Sequence, residues 1–133
     1  MSSALDAAQV AVYSRFNTQW AGATPIQFPG AVFTPPNEAP WVRVELIWGD
    51  AFEDTMEPTA RNTLVAVIHV TVFGPKAVGR KDVMAKVNAV RDIFNRVEFS
   101  GVRCGAPSGP KPVEDPEWEA LAVTIPCTID ELT

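Results

Sequence analysis

Leu5, Ala8, Val12 and Phe16 recur at helical spacing behind Ser3 and Asp6, a pair placed like a capping box with an acid in place of the usual Glu. The pattern predicts a first helix from about Ala4 to Asn17. A helix of that length is marginal alone in water, so its apolar stripe needs a sheet or a second helix to cover it. Gly22, Pro25, Pro29 and Gly30 then interrupt regular structure and leave room for one short strand at Ile26 to Phe28. Beyond Pro35-Pro36 the chain alternates: Val42, Val44, Leu46 and Trp48 share one face of a strand, with Trp41, Arg43, Glu45 and Ile47 on the other. The first face reads as core and the second as mixed apolar and charged.

Gly49 to Pro58 reads as an acidic loop that also carries Phe52 and Met56. Arg61 to Phe73 follows as the longest β signal, nearly continuous in Leu64, Val65, Ala66, Val67, Ile68, Val70 and Val72, as in a central strand apolar on both sides. Gly74-Pro75 ends it. A second helix is predicted near Arg80 to Arg96, where Val83, Val87, Val90 and Phe94 form a stripe widened by Met84 and Ile93. Val97 to Phe99 and Val102 to Cys104 are short strand candidates. Gly105 to Pro112 reads as a loop, because its prolines lack the N–H that a ladder needs. Trp118 to Ile129 alternates as a last strand, and Pro126 inside it favours an edge position or a bulge. This order predicts an α+β fold: one domain over 1–133, a two-layer sandwich of a mostly antiparallel sheet with two helices packed on one face.

With 133 residues, 47% of them hydrophobic and 20% charged, the chain can close one core without staples. Eleven basic against sixteen acidic side chains give a formal charge of −5, which leaves little for counterion release and disfavours tight nucleic-acid binding. Lys76, Arg80, Lys81, Lys86, Arg91, Arg96 and Arg103 thicken locally, but acids lie between them and a solvated helix face is the plainer reading. Cys104 and Cys127 have no CxxC or Cys/His spacing, so neither a zinc nor a redox site is signalled, and two reduced thiols fit a cytosolic product. The start of the chain lacks the pattern of a signal peptide, and no run approaches the roughly 18 apolar residues of a membrane span.

Candidate chemistry is thin. His69 is the single histidine and sits mid-strand, with no nucleophile motif around either cysteine or any serine. Two sets of carboxylates, Asp50, Glu53, Asp54 and Glu57, and Glu114, Asp115, Glu117 and Glu119, fall in loops or at a strand start, where solvation explains them. Gly74 to Lys81 precedes a helix but lacks Walker spacing, and Pro75 removes a needed N–H. Trp20, Trp41, Trp48 and Trp118 suit a core or an interface. No catalytic residue, cofactor or metal is predicted. The sheet face opposite the helices is left to account for, and a mixed apolar and charged surface suits association.

The N-terminal helix, Phe33-Thr34-Pro35-Pro36, Pro40-Trp41-Val42-Arg43-Val44, Val70-Thr71-Val72-Phe73-Gly74-Pro75, the amphipathic helix near Lys81 to Phe94 and Val123-Thr124-Ile125-Pro126 together resemble the tail terminator, or tail completion, proteins of long-tailed bacteriophages. The likeness spans roughly Ala4 to Asp130. It implies a non-enzymatic subunit, assembled in host cytoplasm, that forms a hexameric ring at the head-proximal end of the virion tail. Such a ring stops tail tube polymerisation and offers the docking surface for head-tail joining. Its partners would be other copies of itself, the tail tube protein and the head-tail connector protein, with DNA passing through unbound and no membrane involved. Ring closure needs a heterologous contact. The residues placed there are Asp50, Phe52, Glu53, Asp54, Met56 and Arg61 on a strand edge and the acidic loop, supported by the surface of Trp41 and Arg43. Two alternatives stay open: another virion ring component, either a tail tube or a connector subunit, and a small cytoplasmic ligand-binding or hydrolase domain built around His69.

Overall fold

The run of β-branched residues after Arg61 forms the spine of the protein. In the computed structural model of the chain, which describes residues 4–36, 39–49, 52–53, 61–76 and 80–132, β4 (Arg61–Pro75) pairs antiparallel with β8 (Trp118–Leu132) from Arg61↔Leu132 to Pro75↔Trp118. On the other side of β4 lie β2 (Trp41–Trp48), antiparallel from Trp41↔Phe73 to Trp48↔Ala66, and the two-residue β3 (Phe52–Glu53). β1 (Ile26–Gln27) extends β2 as the one parallel pairing among the described residues. β6 (Val102–Cys104) and β5 (Glu98–Phe99) continue beyond β8, so the sheet runs β1-β2-β4-β8-β6-β5. The fold is the expected α+β sandwich.

Helix α1 (Ala4–Trp20) runs three residues beyond the predicted end because Trp20 continues the stripe of Ala8, Val12 and Phe16, all buried. The Trp20 indole N–H donates to Thr24 Oγ1 at 3.0 Å, which satisfies it beneath the turn. α2 (Arg80–Phe94) buries Val83, Val87, Val90, Ile93 and Phe94. Both helices press on one sheet face, where Val42, Val44, Leu46, Leu64, Ala66, Ile68, Val70, Val72, Leu121, Val123, Ile125, Cys127 and Ile129 join them in a single apolar cluster. Arg15 ties the layer together: its Nε and one terminal nitrogen donate to the Ile93 carbonyl, at 3.1 and 2.9 Å, near the end of α2.

Two expectations fail, both about proline. The segment expected to be a loop contains β7 (Ser108–Val113), which pairs with β8 through Ser108↔Thr124, Lys111↔Ala122, Pro112↔Leu121 and Val113↔Ala120, with a register shift between Ser108 and Lys111. An outer strand needs only half of its backbone groups for the ladder, so prolines are tolerated on the other half. β8 is correspondingly a central strand rather than an edge. Its Pro126 falls where one neighbour, β6, has ended and the other, β7, has yet to begin. The Pro126 carbonyl there accepts from Gly105 N at 2.8 Å. In an extended strand a residue's N and C=O point the same way, so the missing N–H of Pro126 faces that gap and costs the β4–β8 ladder nothing.

Candidate functional site

Alternation along β2, β4 and β8 places a second set of residues on the face opposite the helices. Register aligns them in rows: Trp41, Phe73 and Ala120; Arg43, Thr71 and Ala122; Glu45, His69 and Thr124; Ile47, Val67 and Pro126. No described helix packs on these rows, and, Arg43 apart, they are more exposed toward the Ile47 end. Trp41, Phe73 and Ala120 are buried, Glu45 and His69 are half-buried, and Ile47 is 47% exposed.

The buried end has its own small core. Trp41 and Phe73 stack with ring centroids 4.0 Å apart and planes within 6° of parallel. Phe33 leans on Trp41 at 5.1 Å and Trp118 meets it edge-on at 5.9 Å. Trp41 was expected to lend surface, yet it is only 3% exposed. The aromatic residues that flank it in space close over it, and its indole N–H is buried without an acceptor. What reaches the surface from this cluster is Arg43. Its guanidinium lies 5.1 Å from the Phe73 ring centre and 5.7 Å from that of Trp41, while Nε donates to Gln27 Oε1 at 2.9 Å. Contact with one side of this stacked pair and one hydrogen bond therefore hold the group, and among the described residues its terminal nitrogens have no partner.

The other predicted contact residues lie elsewhere. Phe52 and Glu53 form β3 against Thr63 and Asn62, and Arg61 opens β4 opposite Leu132. Asp50, Asp54 and Met56 fall outside the described residues. Since β4 rises about 3.3 Å per residue, the β3 pairing and the Trp41–Phe73 pairing are roughly 35 Å apart. The predicted set is thus two groups at opposite ends of the spine rather than one patch. Phe33 and Phe73, which pack around Trp41, and Val67 and Pro126, which complete the row of Ile47, were not singled out from the sequence. The second apolar face of the β4 run was the available signal, but naming its neighbours requires register.

The outer backbone edge of β2 is guarded. β1 pairs with it only at Val42 and Arg43, and two residues past Val44 the Leu46 N–H donates to the Tyr13 hydroxyl at 3.1 Å. Burial raises the Tyr13 pKa, the Leu46 bond opposes that rise, and the nearby Glu45 carboxylate adds to it. At the far edge, a groove of about 630 Å³ runs between the start of α2 and the β7–β8 turn, lined by Lys76, Arg80, Glu114, Asp115, Trp118 and Glu119. Arg80 Nε and Glu119 Oε1 pair across it at 2.6 Å. The Asp115 carboxylate shapes the turn by accepting from the N–H groups of Glu117 and Trp118 at 2.9 and 3.1 Å.

His69 has the wrong neighbours for nucleophilic catalysis. It stands on the open face between Glu45 and Thr124, whereas Cys104 and Cys127 are buried on the helix face. Burial pushes the thiols up to about 11 and about 12, and the proximity of Cys104 adds to the shift at Cys127. Both are therefore neutral and poor nucleophiles near pH 7. No described helix is long and apolar enough to cross a membrane.

No curated protein matches the chain. Among the solved structures that match, one does so with a TM-score of 0.65 over 89% of this chain and 92% of its own, at 15% identity, a likeness that carries the fold alone. The family model described as phage tail terminator protein matches residues 7–130, nearly the whole chain. The chain therefore belongs to the phage tail terminator protein family, a family of phage tail structural proteins.

Proposed function

We propose that this protein closes into a ring, with six copies as the expected number, on the head-proximal end of the tail tube, where it halts tube polymerisation and presents the surface that the head connector meets. The observation that carries the reading is the open sheet face, in a chain of the tail terminator family. It combines an exposed apolar row at Ile47 with a fixed cation at Arg43, a composition suited to protein partners. Capping follows from asymmetry: one ring face complements the last tube ring, and the other lacks the surface that would template a further one. The charge of −5 per copy suits a ring through which duplex DNA passes without being gripped. Phe52, Glu53 and Arg61 at one end of β4, with Asp50, Asp54 and Met56 nearby in sequence, remain the proposed lateral contact on that side.

The test is electron microscopy of assembled tails carrying an epitope on this chain, together with tube polymerisation followed with and without the purified protein. The expected result is label at the neck once per tail and tubes that stop at a discrete ring. Long cylinders built from this chain alone would identify a tube subunit instead, and absence from particles would end the proposal.

A further inference from the structure

The geometry points to a specific lateral pairing between copies: the Arg43 guanidinium of one copy docks on the acidic β7–β8 turn, through Glu114 and Glu117, of the next. This rests on the ring-forming reading above and adds a second contact, at the other end of β4, to the one proposed there.

The cation is built for a partner. Arg43 is exposed, yet its guanidinium rests beside the stacked rings of Trp41 and Phe73, and Nε is held by Gln27. A long side chain normally loses rotamer freedom when it forms an ion pair; this one has lost most of it already, so little of that cost remains. Its fork of terminal N–H groups fits a carboxylate, and no carboxylate of the same chain satisfies it among the described residues.

The carboxylates are at the opposite side of the same sheet. From Arg43 the row runs through Thr71 and Ala122 to Lys111 on β7, and the turn begins three residues further along, at Glu114. At about 4.8 Å per strand and 3.3 Å per residue, the two groups of one copy are separated by over 15 Å and do not meet within it. Glu114 and Glu117 are exposed, and their carboxylates have no ion-pair partner among the described residues. Of the four acids within residues 114–119, three line the groove with Lys76 and Arg80 and Glu117 lies beside it, so the turn stays negative although Glu119 is engaged by Arg80. Complementary groups on opposite sides of one subunit produce a head-to-tail contact, the kind that closes a ring. A second copy is therefore the occupant that the charge pattern favours.

Sedimentation equilibrium of the full chain at low salt, alone and on purified tail tubes, tests the pairing with three variants. These are Arg43→Glu, the double change Glu114→Arg with Glu117→Arg, and all three together, each checked by near-ultraviolet circular dichroism. Each one-sided reversal is expected to weaken association between copies at least about tenfold, and the combined variant to return within about threefold of the original chain. Unchanged association in Arg43→Glu, or no recovery in the combined variant, overturns the pairing and leaves ring formation standing. An original chain that stays monomeric both alone and on tubes removes ring formation itself, and the pairing with it.

Discussion

The two faces of the sheet are made by the same strands and differ at every second residue. On the covered face the rows Val42, Val72 and Leu121; Val44, Val70 and Val123; and Leu46, Ile68 and Ile125 are apolar and nearly inaccessible. One residue along, the rows contain Arg43, Glu45, His69, Thr124 and the exposed Ile47. The covered face can bear stability because two helices remove it from water. The open face contributes less to folding, which leaves it able to specify a partner. The contrast holds only if substitutions on the first act on unfolding and substitutions on the second act on assembly.

The largest effect should come from Phe94→Ala. Phe94 is fully buried at the end of α2, stacked 6.0 Å from Phe16 on α1 and 6.3 Å from Phe99, so its removal opens a cavity between helices and sheet. We expect a loss of about 3–5 kcal/mol in urea unfolding. A loss below about 1 kcal/mol would mean that the helix layer does not hold the covered face closed.

A smaller loss should follow Gly74→Ala. A Cβ at Gly74 would stand 2.5 Å from Val83 Cγ2, closer than packed carbons allow, so α2 sits against β4 only because that position has no side chain. Overpacking here should cost about 1–3 kcal/mol, and adding Val83→Ala should recover part of it in a double-mutant cycle. Additive losses would show that the close approach is not the cause.

The thiols supply a test by pH. Cys104 and Cys127 are opposite each other on β6 and β8 and are held at about 11 and about 12, above the ordinary 9.0, chiefly by burial. The folded state therefore keeps protons that the unfolded chain releases, so this contribution is full below pH 9 and is lost as pH rises through 11 and 12. Stability should fall over that window, and Cys127→Ala should flatten the fall. Near pH 7 a thiol reagent should label the native chain slowly, while an imidazole reagent reaches half-buried His69 on the open face. Fast thiol labelling without unfolding would show that the helix layer opens locally.

Periodicity made most of the covered face legible, since Ala8, Val12, Phe16, Val83, Val87, Val90 and Phe94 announce their burial at helical spacing and the β4 run announces a central strand. It could not reveal which strands adjoin. Pro126 and the prolines of β7 were misread for that reason: a missing N–H is harmful or harmless according to what lies across from it, and only the β6-to-β7 gap supplies the answer. Trp41 was misread in the same way. Its alternation placed it on the open face, correctly, but Phe33, from the irregular segment before β2, and Trp118, remote in sequence, cover it there. The pattern therefore identifies Arg43 as a surface residue without showing that two aromatic rings hold it.

The smallest effect on folding, and the sharpest division between the faces, should come from Ile47→Thr. Ile47 is 47% exposed and is flanked across β4 by Val67 and Pro126, so it completes an apolar row that water still reaches. Threonine keeps the β-branch that suits a strand and removes apolar surface, so unfolding free energy should change by less than about 1 kcal/mol. Association between copies, or retention on tail tubes, should weaken measurably, because an apolar row beside a fixed cation gains most when a partner excludes water from it. A loss of stability comparable to that of Phe94→Ala would mean that Ile47 is packed in the isolated protein. Unchanged stability with unchanged assembly would remove this row from the interface and move the contact toward Arg43 and the aromatic end.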